Sequence, residues 1–209
     1  MNIKQIAFTD YYKEVTPKKQ IYLHHTAGSG KGDNVFATWE RDKQGRIGTC
    51  VVIGPDGTIF QGFKSEFWAY HLGLSADPFR ANGLPYQHLD KISIGIEIVN
   101  WGYLTKKGDK FYSYAGTEVP KEQVCALDKP FKGQKYYQDY TDEQIKATIE
   151  LLKLWASKYN IDIKYNEDIW NVTKRALKGE NGVFTHNSVR SDKSDVYPNP
   201  KLIAALKEL

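Results

Sequence analysis

The chain has 209 residues, of which 41% are hydrophobic and 26% charged. That composition excludes a disordered or fibrous protein, and the length suits one domain of roughly 200 residues with its own core. Its 29 Lys and Arg against 25 Asp and Glu leave a formal charge of +4 without a dense basic stripe, so a mixed solvated surface is expected and nucleic-acid binding is not.

The first twenty residues contain no apolar stretch of about 7–15 residues, so they do not read as a secretory signal, and nothing later reads as a membrane span. Synthesis in a cytoplasm is expected, with no membrane partner and a monomeric state. QIYLHH is a short apolar run of strand formers, followed by the small, turn-prone residues Thr26 to Asp33. Asp33 is a candidate N-cap for a short helix with Phe36 and Trp39 or Glu40 at helical spacing, ending before Gly45. CVVI and TIFQGF flank Gly54-Pro55-Asp56-Gly57, and an Asp-Gly turn between apolar runs predicts a β-hairpin. Cys50 in this hairpin and the distant Cys125 form neither a disulfide framework nor a CxxC pair, so both are expected as reduced thiols.

ISIGIEIVN alternates, with Ile92, Ile94, Ile96 and Ile98 on one face and Ser93, Gly95, Glu97 and Val99 on the other, which predicts a central strand. Trp101 to Tyr140, dense in Tyr and Lys, is too long for a simple connection and reads equally as an exposed hairpin or a substrate-contacting flap. TDEQIKATIELLKLWASKYN opens on the capping-box pair Thr141 and Gln144 and carries apolar residues at helical spacing. A weaker helix is expected over Asn166 to Lys178 and a short apolar stretch over Val183 to Thr185. A final helix begins near Pro200. Strands alternating with helices predict an α/β or mixed α+β fold, a central mixed sheet flanked by helices.

Two of the five histidines close the first apolar strand, and His186 follows another. Alternation puts Ile21, Leu23 and His25 on one face and Tyr22 and His24 on the other. The first face reads as core, so His24 is the expected exposed ligand and His25 its buried, hydrogen-bonded neighbour. In the polar loop after His186, either Asp192 or Asp195 could add a carboxylate, giving the two-imidazole, one-carboxylate donor set of a catalytic zinc site, or both could simply cap turns. Glu97 favours the site: an ionisable side chain on a central strand is costly unless it has work such as taking a proton.

IYLHHTAG, the hairpin GTCVVIGPDGTIFQ, WAYHLG, SIGIEIVN and THNSVRSDKSDVYPNP, in that order, resemble the type 2 zinc amidases, a family that includes phage lysins, wall-recycling amidases and peptidoglycan recognition proteins. The resemblance runs from about Ile21 to Pro200. It implies a Zn2+-dependent N-acetylmuramoyl-L-alanine amidase acting on peptidoglycan or muropeptides, endolysin-like, reaching the wall after release or delivery. Carried over residue by residue, it places the metal on His24, His186 and Asp195, the last chosen over Asp192 because it stands two residues after Lys193. Glu97 and Lys193 fall on the catalytic positions, as proton carrier and oxyanion partner, and Trp68 and His71 on a segment lining the groove. Cys50, where the family hairpin often has histidine, the Val196-Tyr197-Pro198 turn, and the insert depart from the pattern. A non-catalytic peptidoglycan-binding module and a zinc peptidase are the alternative functions.

Overall fold

A computed structural model describes the whole chain, Met1–Leu209. Its first half comprises β1 (Ile3–Gln5), β2 (Gln20–His25), α1 (Gly32–Trp39), β3 (Val51–Ile53), β4 (Ile59–Gln61), α2 (Asp77–Ala81), α3 (Leu89–Ile92) and β5 (Ser93–Ile98). The insert supplies β6 (Tyr103–Lys107), β7 (Lys110–Tyr112), β8 (Glu118–Val119), β9 (Val124–Phe131) and β10 (Gln134–Gln138). Then follow α4 (Asp142–Tyr159), α5 (Lys174–Leu177), β11 (Gly182–Thr185) and α6 (Pro200–Lys207). No helix is long and apolar enough to cross a membrane.

The central sheet is mixed, in the order β1-β4-β3-β5-β2-β11. Only the β3–β4 hairpin is antiparallel, with Gly57 taking the positive φ of 75° that its turn requires. The parallel strands β5, β2 and β11 lie side by side, in the register His24 to Glu97 and Leu23 to Thr185. Connections leave from the same end of all three strands, and sites in such sheets open beyond the carboxyl ends. All six residues of β2 and of β5 are buried, because both faces of this part of the sheet are covered.

Several expectations are corrected. Ile92 ends α3, so the alternating strand starts at Ser93. Lys31, not Asp33, stands at the N-cap position of α1, without a side-chain capping bond, and Asp33 lies in the first turn. The helix expected over 166–178 is broken: a 3-10 turn covers Glu167–Trp170, the chain is extended at Asn171, and Thr173 caps the four-residue α5. Neither is the insert a single hairpin. It forms a second sheet of five antiparallel strands, order β8-β7-β6-β10-β9, over a small core of Leu104, Phe111 and Val119.

The long helix α4 follows its local signals. Thr141 Oγ1 accepts from Gln144 N at 3.0 Å, Gln144 Oε1 accepts from Thr141 N at 3.1 Å, and the helix stops at Asn160 in the left-handed conformation. In α6, Asn199 Oδ1 accepts from the backbone of Lys201 and Leu202, so the Asn-Pro pair fixes where the helix starts.

Candidate metal centre and cleft

His24 closes β2, His186 follows β11, and Asp195 lies in the loop Arg190 to Pro198, which has no helix or strand. Their donor atoms converge. His24 Nδ1 is 3.2 Å from His186 Nδ1 and 3.2 Å from Asp195 Oδ2, and His186 Nδ1 is 2.9 Å from the same oxygen. Ligands about 2.0–2.1 Å from a tetrahedral zinc stand about 3.3 Å apart, so these separations fit that ion.

The remaining nitrogens test the fit further. His186 Nε2–H donates to the Leu72 carbonyl at 3.0 Å, which leaves the Nδ1 lone pair free for a metal. His24 Nε2 is 3.0 Å from His71 Nδ1, and His71 Nε2 is 2.9 Å from Ser93 Oγ. A metal on His24 Nδ1 requires Nε2–H to donate to His71, and His71 then donates to Ser93, so one tautomer chain serves the whole row. Asp90 Oδ1 accepts from the backbone of His71 and Leu72 and so fixes the segment that orients both imidazoles. Asn187 Nδ2 donates to the carbonyls of Asp195 and Val196, holding the third donor's backbone.

Strand direction, not exposure, separates the two adjacent histidines. His24 is 3% exposed and His25 6%, so the expectation of an exposed His24 is corrected. His25 points to the other face and bonds the Tyr140 hydroxyl through Nδ1 at 3.0 Å. Burial, opposed by Asp195, lowers the pKa of His24 to about 4. Burial alone would raise the Asp195 carboxyl, but its bonds to His186 and His24 outweigh that and hold it far below the usual carboxylate range. Asp192 is elsewhere: it faces the solvent and pairs with Arg190 at 2.6 Å.

Glu97 is the register partner of His24 on β5 and shares its face with Ser93 and Gly95. Gly95 is needed there, since a Cβ would lie 2.5 Å from Thr49 Cγ2 and 3.1 Å from His71 Nδ1. Burial, reinforced by Asp195 and opposed by Lys193, holds the Glu97 carboxyl well above its ordinary value. A cavity of about 490 Å³ opens beside the centre, lined among others by Tyr70, His71, Tyr86, His186, Arg190 and Lys193.

Trp68 does not line that cavity. It is 4% exposed, stacks on Tyr12 at 3.8 Å and donates to Glu14 Oε2 at 2.8 Å, so the N-terminal arm covers it. Cys50 is buried against the Gly95 carbonyl, and burial pushes its thiol up to about 12. Both cysteines are free thiols.

The sequence profile described as N-acetylmuramoyl-L-alanine amidase matches residues 14–200. The chain belongs to that family. Its enzyme class follows: hydrolysis of the amide between muramic acid and L-alanine in peptidoglycan. Similar solved structures include PlyL, 16% identical over 99% of this chain and 96% of that one, with a TM-score of 0.54. LysC, an amidase from Clostridium intestinale URNW, is 15% identical over 99% and 97%, with a TM-score of 0.56. AmiD from E. coli, solved with anhydro-N-acetylmuramic acid-L-Ala-D-gamma-Glu-L-Lys, is 21% identical over 95% and 58%, with a TM-score of 0.53. These likenesses show the amidase fold. No curated protein matches by sequence.

The supporting residues Ser93, Asp90, Asn187 and the Leu72 carbonyl were not singled out from the sequence. Only Ser93 carried a signal, since alternation along β5 sets it on the face of Glu97. Val196-Tyr197-Pro198, a departure from the family pattern, has a local reason: Tyr197 stacks on Tyr137 at 4.2 Å and Tyr140 at 5.1 Å, docking the insert on the Asp195 loop.

Proposed function

We propose that this amidase is zinc-dependent, with His24, His186 and Asp195 as ligands, and that it degrades wall peptidoglycan in the manner of an endolysin, the whole chain acting as one catalytic domain. The observation that carries the reading is the convergence of three donor atoms within 3.2 Å, each imidazole tied back through its other nitrogen. Bound zinc would supply a Lewis acid and lower the pKa of water to about 7. Glu97, beside His24, takes the proton of the attacking water and delivers it to the departing amine of L-alanine. Lys193, which lines the same cavity as His186, places its ammonium by the oxygen that becomes negative during attack. His71 and Ser93 hold His24 in its ligating tautomer.

The test is zinc content measured alongside release of L-alanine amino termini from purified peptidoglycan, with mass spectrometry of the products. Metal with turnover and cleavage at the lactyl amide is the expected result. Metal without turnover would leave a peptidoglycan-binding module, and a cut inside the stem would make the protein a peptidase.

A further inference from the structure

Few large hydrophobic side chains stand exposed, yet two of them, Tyr70 at 38% and Tyr86 at 51%, line the same cavity, the one that reaches His186 and Lys193. Single exposed aromatics are ordinary on a soluble protein; a pair on one concave surface beside a reaction centre is not.

Both rings are held from behind. Tyr70 packs edge-on against Trp68 at 5.5 Å and stacks on His88 at 5.7 Å, and its hydroxyl is 3.3 Å from that of Tyr12. Its backbone exchanges hydrogen bonds with Arg46 and Gly48, which fixes it to the wall containing Gln44, Gly45 and Ile47. Tyr86 packs edge-on against the fully buried Phe79 at 5.2 Å. Rings restrained in this way lose little conformational entropy when a ligand covers them.

The ligand class follows from the charge of the walls. Gln44, Gly45 and Ile47, which flank Tyr70, are uncharged; the Arg46 guanidinium between them lies over the Tyr12 ring, and the one carboxylate of the lining, Asp90, is engaged by the backbone N–H groups of His71 and Leu72. The cations of the cavity, Arg190 and Lys193, belong to the loop after β11, and the Arg190 guanidinium is already bonded to Asp192 and the Gly73 carbonyl. A neutral, aromatic wall suits a pyranose ring, whose axial C–H bonds form an apolar face and whose hydroxyls meet a phenol at the edge.

We propose that Tyr70 and Tyr86 form the saccharide subsite of the cleft, taking the muramyl ring and leaving the Lys193 side of the cleft to the scissile amide and the stem peptide. The inference rests on the amidase reading above.

The experiment compares two soluble substrates with the same scissile amide and stem peptide, one carrying N-acetylmuramic acid and the other only a D-lactoyl group. The zinc-loaded wild type should prefer the muramyl peptide in kcat/KM. In Tyr86→Ala that preference should fall about tenfold, chiefly through KM, whereas Tyr86→Phe, which keeps the ring, should retain most of it. A preference unchanged in Tyr86→Ala, including an equal loss on both substrates, overturns the subsite, as does a wild type that cleaves both peptides equally well. A wild type that cleaves neither peptide instead sinks the amidase reading, and this inference with it.

Discussion

Lys132, in the turn between β9 and β10, donates through Nζ to the Ser191 carbonyl at 2.9 Å, joining the tip of the second sheet to the loop that carries Lys193 and Asp195. The other end of that loop is held by Tyr197, whose hydroxyl donates to the Gln138 carbonyl at 2.8 Å and whose ring stacks on Tyr137. The insert therefore braces a segment with no ladder of its own. Lys132→Ala should cost only about 0.5–1 kcal/mol, since the bond is exposed. Hydrogen exchange across residues 190–195 should nevertheless quicken; unchanged exchange there would show that the brace is idle.

The His24, His71 and Ser93 row predicts a graded loss of metal. His71→Ala should weaken zinc binding about 10–100-fold by freeing the His24 ring, the usual cost of removing a partner behind a ligand. Ser93→Ala, one bond further out, should weaken it less. Competition against a chromophoric chelator measures both, and equal affinities in both variants and wild type would remove the row from the metal's support.

Asp195 and Glu97 should separate binding from turnover. Asp195→Ala should lose zinc, because it removes one of three donors. Glu97→Gln should keep zinc and lose about 10²–10⁴-fold in kcat, the usual value of a positioned proton carrier. Zinc retained in Asp195→Ala would move the third ligand elsewhere, and activity retained in Glu97→Gln would remove the carboxylate from the proton path.

Stability should report a buried lysine. Lys18 donates to the Lys91 carbonyl at 3.0 Å, and burial lowers its pKa to about 8. Below pH 8 it is charged in both folded and unfolded chains, and the folded state bears the cost of burying the charge. Between pH 8 and about 10.4 the folded state gives up its proton while the unfolded chain keeps it, so this contribution to stability rises with pH, by up to about 3 kcal/mol. Lys18→Met lacks it, and Thr16 Oγ1 still satisfies the Lys91 carbonyl. Denaturant melts across that range should therefore show the wild type gaining on the variant; parallel pH curves would contradict this.

Legibility in the sequence followed the range of the forces involved. Alternation in SIGIEI and QIYLHH, the Asp-Gly turn and the capping box of α4 are local signals, and the corresponding elements formed. The face of β5 that reads Ser93, Gly95, Glu97 foretold a polar surface inside the protein, although only Glu97 was read as functional. His24 was selected over His25 by strand direction, but its burial depends on cover that alternation does not report. Asp195 was distinguished from Asp192 by family spacing alone, and the physical difference is the Arg190 fork that engages Asp192.

Trp68 stands on the segment that lines the cavity but is itself covered by Tyr12 and Glu14, far away in sequence. The insert was unreadable as a sheet because its strands are largely exposed, so pairing between strands, more than a hydrophobic stripe, defines it. Over 166–178 a weaker helix was expected, but Thr185 and Ser188 both donate to the Ile169 carbonyl and hold that stretch against β11 instead.

His24 and Asp195 are separated by 171 residues, so it is the fold and not the local sequence that brings their donor atoms to 3.2 Å. A growing chain that ends anywhere short of residue 195 carries at most two imidazoles at the centre. On the proposed ligand set, any fragment that stops before residue 195 lacks the third donor, so truncation removes the negative charge at the site along with the loop that carries it.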